Sequence, residues 1–308
     1  MQSSLHPAPS QSGDRVFVTG GTGFVGKNIV RAINDHPLRL MVRKPREGGG
    51  DPGTEYVQAD VTDPASLAGK MEGCDIVVHL VGIIEETGSA TFDSIVRQGT
   101  ENVLAEARRA GVKRFVHMSA LGARDDPQYG YHTAKYRAEQ AVMNSGITYT
   151  IFRPSVIFGP GDGFVNTLAG VVRSFPVIPV VGSGETRFQP VQVGDVADAF
   201  ARAVNDPETT ANQVYELGGD RPYTYVQMLD TIAGELGKSK PKVKVPVPLM
   251  KIVVAASKPL PAALRPPVTS EQLKMLSLDN STGKSATEML IGRKPVALED
   301  GIEYIRES

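Results

Sequence analysis

The apolar segment Arg15–Thr19 runs directly into Gly20-Gly21-Thr22-Gly23-Phe24-Val25-Gly26, and a helical pattern follows. No other stretch of this chain restricts its fold so strongly. The glycines satisfy GxxGxxG from Gly20 and GxGxxG from Gly21. A tight strand-to-helix turn needs residues that tolerate unusual φ, and a helix packed hard on its strand needs a position without a side chain, here Gly26. Such a turn leaves the free N–H groups and the partial positive charge of a helix N-terminus facing outward, a cradle for a pyrophosphate. Gly20, Gly21, Thr22, Gly23, Phe24 and Val25 therefore read as the lining of a dinucleotide site. A glycine-rich turn without a ligand is the alternative. The position between a strand and a helix, at the start of the alternating pattern, favours the site.

That alternation continues. Arg15–Thr19, Leu38–Val42, Glu55–Ala59, Asp75–Leu80, Arg114–Ser119 and Thr148–Arg153 read as strands, several of them continuous runs of Val and Ile that suit a parallel sheet covered on both faces. Between them lie helical stretches. The clearest is Thr91–Ala110, whose apolar residues recur with a 3.6-residue period and which stops at Gly111. Strands alternating with helices imply right-handed crossovers and an α/β, Rossmann-type doubly wound parallel sheet. After Arg153 the rhythm changes. Pro and Gly crowd Pro154–Pro190, a helix at Val193–Val204 and a strand at Val214–Leu217 return to the sheet, and a helix follows at Tyr225–Leu236. The expected organisation is a disordered tail over 1–13, a nucleotide-binding domain over 14–155 to which 188–217 returns, and a smaller C-terminal substrate lobe built from 156–187 and 218–308.

Composition narrows the function. The 308 residues carry 33 basic and 34 acidic side chains, a balance that gives no reason to expect nucleic acid. A single cysteine, Cys74, excludes an intramolecular disulfide and a cysteine zinc cage. The five histidines lack metal-ligand spacing, so no metal site is expected, and His79 and His117 read as core residues within strands. No apolar run approaches the roughly 20 residues that span a bilayer, and the Ser/Pro/Gln-rich N-terminus has no signal-like apolar region. A cytoplasmic location is expected. Pro246–Pro261 carries only Lys251 and Lys258 as charges and holds a short apolar block, Leu249 to Ala256. It reads as lobe core, as an apolar wall of the substrate mouth, or as a peripheral contact with the inner face of a membrane.

Residues that follow the strands outline a site. The second strand ends in Arg43-Lys44, where an acidic residue would favour NAD; cations there suit a 2′-phosphate, so NADP(H) is expected over NAD(H). Asp60-Val61 follows the third strand, placed to contact the adenine, and Leu80-Val81-Gly82 follows the fourth, under the adenosine ribose. Ser119 ends the fifth strand, at the edge where such sheets bind ligands. Tyr131 and Lys135, spaced i, i+4, share a helical face. A tyrosine titrates near 10 unperturbed, and a nearby ammonium lowers that value. Tyr131 could then exchange a proton with a substrate oxygen while Ser119 hydrogen-bonds it and Lys135 holds the nicotinamide ribose.

With these motifs the chain resembles the short-chain dehydrogenase/reductase superfamily in its extended or atypical branch, the epimerase/dehydratase type. The resemblance rests on Thr19–Gly26, Asp60-Val61, Gly99-Thr100-Glu101-Asn102-Val103, Ser119, Tyr131 and Lys135, Arg153–Gly159 and Val193–Val196. His117–Ala123, the short gap from Ser119 to Tyr131, and Val268–Leu273 leading to Asp279-Asn280 make it similar to the nucleotide-binding accessory subunit of respiratory complex I. The resemblance implies NAD(P)(H) as cofactor, with Pro154 and Val156 near the nicotinamide. It also implies a catalytic Ser119, Tyr131, Lys135 site. One departure stands out. Many active members carry an asparagine where this chain has Ile95-Val96-Arg97-Gln98, and the complex I relative is regarded as structural. Three functions stay open: an oxidoreductase acting on a carbonyl or alcohol, a sugar-nucleotide epimerase or dehydratase with Arg173, Arg187 and Arg221 as candidate diphosphate contacts, and a non-catalytic nucleotide-binding accessory or sensor protein with a respiratory-complex contact.

Overall fold

The computed structural model describes residues 13–44, 53–257, 273–274 and 278–307. The expected tail other than Gly13, Arg46, residues 258–267 and most of the Val268–Leu273 motif lie outside the described residues.

Seven parallel strands form the main sheet: β1 (Val16–Thr19), β2 (Leu38–Val42), β3 (Thr54–Gln58), β4 (Ile76–His79), β5 (Arg114–Met118), β6 (Thr148–Pro154) and, later in the chain, β11 (Gln213–Leu217). Their spatial order is β11-β6-β5-β4-β1-β2-β3. The chain winds outward one way from β1 to β3 and then restarts at β4 on the other side of β1. The carboxyl ends of β1 and β4 therefore diverge into a crevice, the place where doubly wound sheets bind ligands. Register aligns Thr19 with His79, His79 with His117, and Met118 with Phe152, so the strand ends that carry the predicted site stop at one edge.

Side chains alternate across each strand and divide the core. Val16, Val18, Val78, Val116 and Phe152 face the layer of α1 (Phe24–Ala32) and α6 (Val193–Asn205), packing on Ile29, Val196 and Phe200. Phe17, Val77, Phe115 and Ile151 face the opposite layer: α2 (Pro64–Leu67), α3 (Gly99–Arg109) and α4 (Gly130–Met143), with Leu67, Val103, Leu104 and Val142. Each such buried side chain stabilises the fold by about 1.5–3 kcal/mol.

A second core lies in the other lobe, where α5 (Phe164–Ser174) and α8 (Tyr225–Glu235) pack through Val165, Leu168, Val172, Met228, Leu229 and Ile232. Three two-stranded ladders surround it: β7 (Ile157–Phe158) with β10 (Val191–Gln192), β9 (Arg187–Phe188) with β12 (Tyr223–Thr224), and β8 (Ile178–Val181) with β13 (Lys242–Val245). The remaining helices are α7 (Pro207–Thr210), α9 (Val247–Ser257) and α10 (Thr287–Ile291).

Two expectations need correction. The helix read over Thr91–Ala110 starts as a π-helical turn, Asp93–Gln98, before α3. Thr100 Oγ1 donates to the Val96 carbonyl at 2.6 Å, and a Cβ at Gly99 would sit 2.9 Å from Val61 Cγ2. The widened turn sets the start of α3 tightly against the loop after β3. The Pro/Gly-rich stretch Pro154–Pro190 is also more regular than its composition suggests. It holds α5, whose first turn is closed by Asp162 Oδ1 accepting from Val165 N at 2.6 Å. The other strands and helices that were expected with bounds fall within about one residue of them.

Candidate active site

Gly20 has φ of +74°, and a Cβ there would lie 3.1 Å from the Leu80 carbonyl carbon. A Cβ at Gly26 would fall 2.1 Å from Gly20 O and 2.7 Å from Gly21 Cα. No side chain fits at Gly26 without moving the backbone. Helix α1 starts at Phe24 with Gly23 as its cap, no side-chain capping bond and no acidic residue in its first turn. Its N-terminal N–H groups are presented without an internal anion. This cradle fits a pyrophosphate.

Around it, Arg43 and Lys44 are exposed just past the end of β2. Asp60 Oδ1 accepts from Thr62 N at 2.9 Å and Thr62 Oγ1 at 2.8 Å, which pins the turn after β3. Val61 is buried, and its carbonyl accepts from Asn102 Nδ2 at 2.8 Å. Leu80 N donates to the Thr19 carbonyl at 3.2 Å, tying the end of β4 to the glycine loop. The structure thus brings Leu80 and Val81 beside Gly20.

Lys135 is buried, and its Nζ donates to the Met118 carbonyl at 2.8 Å. A Cβ at Gly82 would meet that Nζ at 3.2 Å. Lys135 therefore joins the ends of β4 and β5 from α4. Burial pulls its pKa down to about 8, with Glu139 opposing the fall. Glu139 is itself buried and holds Arg153 through two hydrogen bonds of 2.8 and 2.6 Å. Ser119, next to Met118, is buried with its hydroxyl oxygen unpartnered among the described residues. A buried hydroxyl in this state has an unmet hydrogen bond to offer.

Tyr131 is half-buried one helical turn before Lys135 and packs edge-on against Phe92, with ring centroids 5.6 Å apart. Its hydroxyl has no hydrogen bond among the described residues. Burial raises its pKa to about 12. Desolvation is the sole cause, and the expected lowering by Lys135 is absent from the protein alone. Phe92 and Gly130, neighbours of Tyr131, also line a cavity of about 390 Å³ with Glu86, Asp93, Gln128 and Arg137.

Pro154 ends β6, and its carbonyl accepts from Leu121 N at 2.9 Å. Val156 N donates to Asn280 Oδ1 at 3.1 Å, and Ser155 Oγ donates to the same oxygen at 2.6 Å. Asn280 thereby ties a distant segment to the nicotinamide side of the expected site. Arg293 fixes the following segment to α6, bonding Asp195 at 2.6 Å and Asp198 at 2.7 Å. Asp195 and Asp198, near the start of α6, are thus both held by one arginine.

Sequence reading missed a buried polar chain beneath the site. His79 Nδ1 meets Thr19 Oγ1 at 2.7 Å and His79 Nε2 meets Thr100 Oγ1 at 3.0 Å, which locks β1, β4 and α3 together. Burial holds the His79 pKa down to about 3, so the ring is neutral at ordinary pH. His117 stacks on it at 5.4 Å, and both its ring nitrogens are unpartnered among the described residues. No sequence signal marks this chain, since its members are separated by 60 and 21 residues.

Comparison with known proteins agrees with this geometry. A family model described as NAD(P)H-binding matches residues 20–207. The chain is 28% identical over 303 residues to the mitochondrial NADH dehydrogenase [ubiquinone] 1 alpha subcomplex subunit 9 of Arabidopsis thaliana, covering 94% of this chain and 74% of that one. It is 29% identical over 327 residues to the 3 beta-hydroxysteroid dehydrogenase/Delta 5-->4-isomerase of Mycobacterium tuberculosis, covering 92% and 86%. The solved NADPH-dependent quinone oxidoreductase of Escherichia coli, in complex with NADPH, shares the fold with a TM-score of 0.71 at 22% identity, over 92% of this chain and 97% of that one. The chain belongs to the NAD(P)H-binding family.

Proposed function

We propose that the protein is an NADP(H)-dependent oxidoreductase acting on a carbonyl or alcohol substrate. The observation that carries this reading is the convergence of buried Lys135 with an unpartnered Ser119 hydroxyl at the ends of β4 and β5, one helical turn from Tyr131. Gly20 to Val25 and the α1 N-terminus would hold the pyrophosphate. Arg43 and Lys44 would meet the 2′-phosphate, Asp60 and Val61 the adenine, Leu80 to Gly82 the adenosine ribose, and Pro154 and Val156 the nicotinamide. The bound nicotinamide supplies or accepts the hydride. Ser119 donates to the substrate oxygen, and Tyr131 delivers or removes the proton at that oxygen. Lys135 would reach the nicotinamide ribose and, together with the oxidised nicotinamide, would bring the phenol's pKa down from its raised value. The oxidoreductases among the similar proteins, one solved with NADPH, support the chemistry and the cofactor preference.

A non-catalytic nucleotide-binding role is the second reading. The π-helical turn holding Ile95–Gln98 in place of the asparagine favours it, as does the likeness to a complex I subunit. Mass spectrometry of the nucleotide that co-purifies, followed by reduction assays on a panel of quinones, ketosteroids and aldehydes, separates the two. Turnover that consumes NADPH is expected. Retained NADPH with no consumption across the panel would overturn the oxidoreductase reading in favour of the second.

A further inference from the structure

Helix α9 has two apolar stripes. Val247, Met250, Val254 and Ser257, spaced i, i+3, i+7 and i+10, are the half-buried or buried side of the helix. Leu249, Ile252, Val253 and Ala256, spaced i, i+3, i+4 and i+7, form an outer stripe. Leu249 is 51% exposed, Ile252 65% and Val253 44%. Leu, Ile and Val side chains grouped on one helix face belong against other apolar groups, so the outer stripe lacks the environment its composition calls for. Beside it in sequence, the edge strand β13 exposes Val243 between Lys242 and Lys244.

Charge identifies the environment. Between Glu235 and Glu271 the chain has seven cations and no carboxylate, although the whole chain carries a formal charge of −1. Lys242 is taken by Asp230, and Lys240 donates to the Phe175 carbonyl at 2.6 Å. Lys244 and Lys251 are exposed and carry no ion pair among the described residues. An exposed apolar stripe in a segment whose only charges are cations complements a surface that is apolar in depth and anionic at its boundary, the interface of an anionic bilayer. Four side chains on one helix face fall short of the roughly 800 Å² per partner of a specific protein interface, whereas insertion among lipids requires no matching shape. No described helix is long and apolar enough to cross the membrane.

We infer that α9 is an interfacial anchor. It lies on anionic lipid with Leu249, Ile252 and Val253 among the acyl chains and with Lys244 and Lys251 at the headgroups. The attachment is independent of the nucleotide chemistry proposed above, because none of these residues belongs to the candidate site.

Flotation of the full-length protein with phosphatidylcholine vesicles, with and without about a third phosphatidylglycerol, tests the anchor at low and high salt. Wild-type protein should float with the anionic vesicles at low salt, at least tenfold less with neutral ones, and less as salt rises. Leu249→Asp/Ile252→Asp should stay at the bottom. Lys244→Gln/Lys251→Gln should lose at least tenfold. Both variants change exposed side chains, and unchanged circular dichroism and NADPH binding would establish that they fold. Wild-type protein that fails to float overturns the anchor. So does flotation unaffected by either variant. Failure to float combined with a concentration-dependent shift to a dimer, or with co-purification of one stoichiometric protein, would assign the stripe to a protein interface instead.

Discussion

Replacing Lys135 by methionine isolates the cost of burying one ammonium ion. The side chain is 2% exposed, and burial lowers its pKa from 10.5 to about 8. That difference corresponds to about 3 kcal/mol. The sign follows from the direction of the shift. Below pH 8 the amine is charged in both the folded and unfolded states, and the folded protein bears the full desolvation cost. Between pH 8 and 10.5 only the unfolded chain holds the proton, so stability rises with pH. Above 10.5 the amine is neutral in both states and the cost is gone. Wild-type protein should therefore gain about 3 kcal/mol from this residue between pH 7.5 and 10.5, and Lys135→Met should lack that gain. At pH 7.5 the variant escapes the cost but leaves the Met118 carbonyl, now paired at 2.8 Å, without its donor, a loss of about 1–3 kcal/mol. The two nearly offset, so the difference in pH dependence is the informative quantity. Urea unfolding of both proteins at pH 7.5, 9 and 10.5 measures it, because the other titrating groups cancel in the comparison. Parallel stability curves would refute the assignment of a buried ammonium at this position.

Gly26→Ala should destabilise the protein by at least about 1–3 kcal/mol and abolish NADPH binding, since its Cβ would lie 2.1 Å from Gly20 O; thermal unfolding with a fluorescence titration checks both. Arg43→Ala should weaken NADPH by about ten- to a hundredfold, the worth of one charge-assisted hydrogen bond of roughly 1.5–3 kcal/mol, and leave NADH unchanged. Equal losses for the two cofactors would place the 2′-phosphate elsewhere. Tyr131→Phe should lower turnover of any substrate found in the panel by about a hundredfold or more while NADPH affinity stays within about twofold, because the phenol moves a proton and does not hold the nucleotide.

The parallel sheet, the glycine turn and the residues that follow each strand were legible in the sequence. These depend on local steric demands and short periodicities: an apolar run for a strand covered on both faces, a glycine where a Cβ would strike Gly20 O, and an i, i+4 pair on α4. Residues that meet across the fold leave no such trace. His79 gains its partners Thr19 and Thr100 only when β1, β4 and α3 assemble, and Asn280 reaches Val156 over 124 residues. The ionisation of Lys135 and Tyr131 was equally illegible. Spacing places an amine near a phenol, but desolvation by the packed core sets one pKa to about 8 and the other to about 12. The apolar block of α9 could be read from sequence as lobe core, substrate wall or membrane contact, and only the fold shows that Leu249, Ile252 and Val253 face outward. Which side of a mostly apolar helix meets the core depends on what it packs against, and composition carries no record of that.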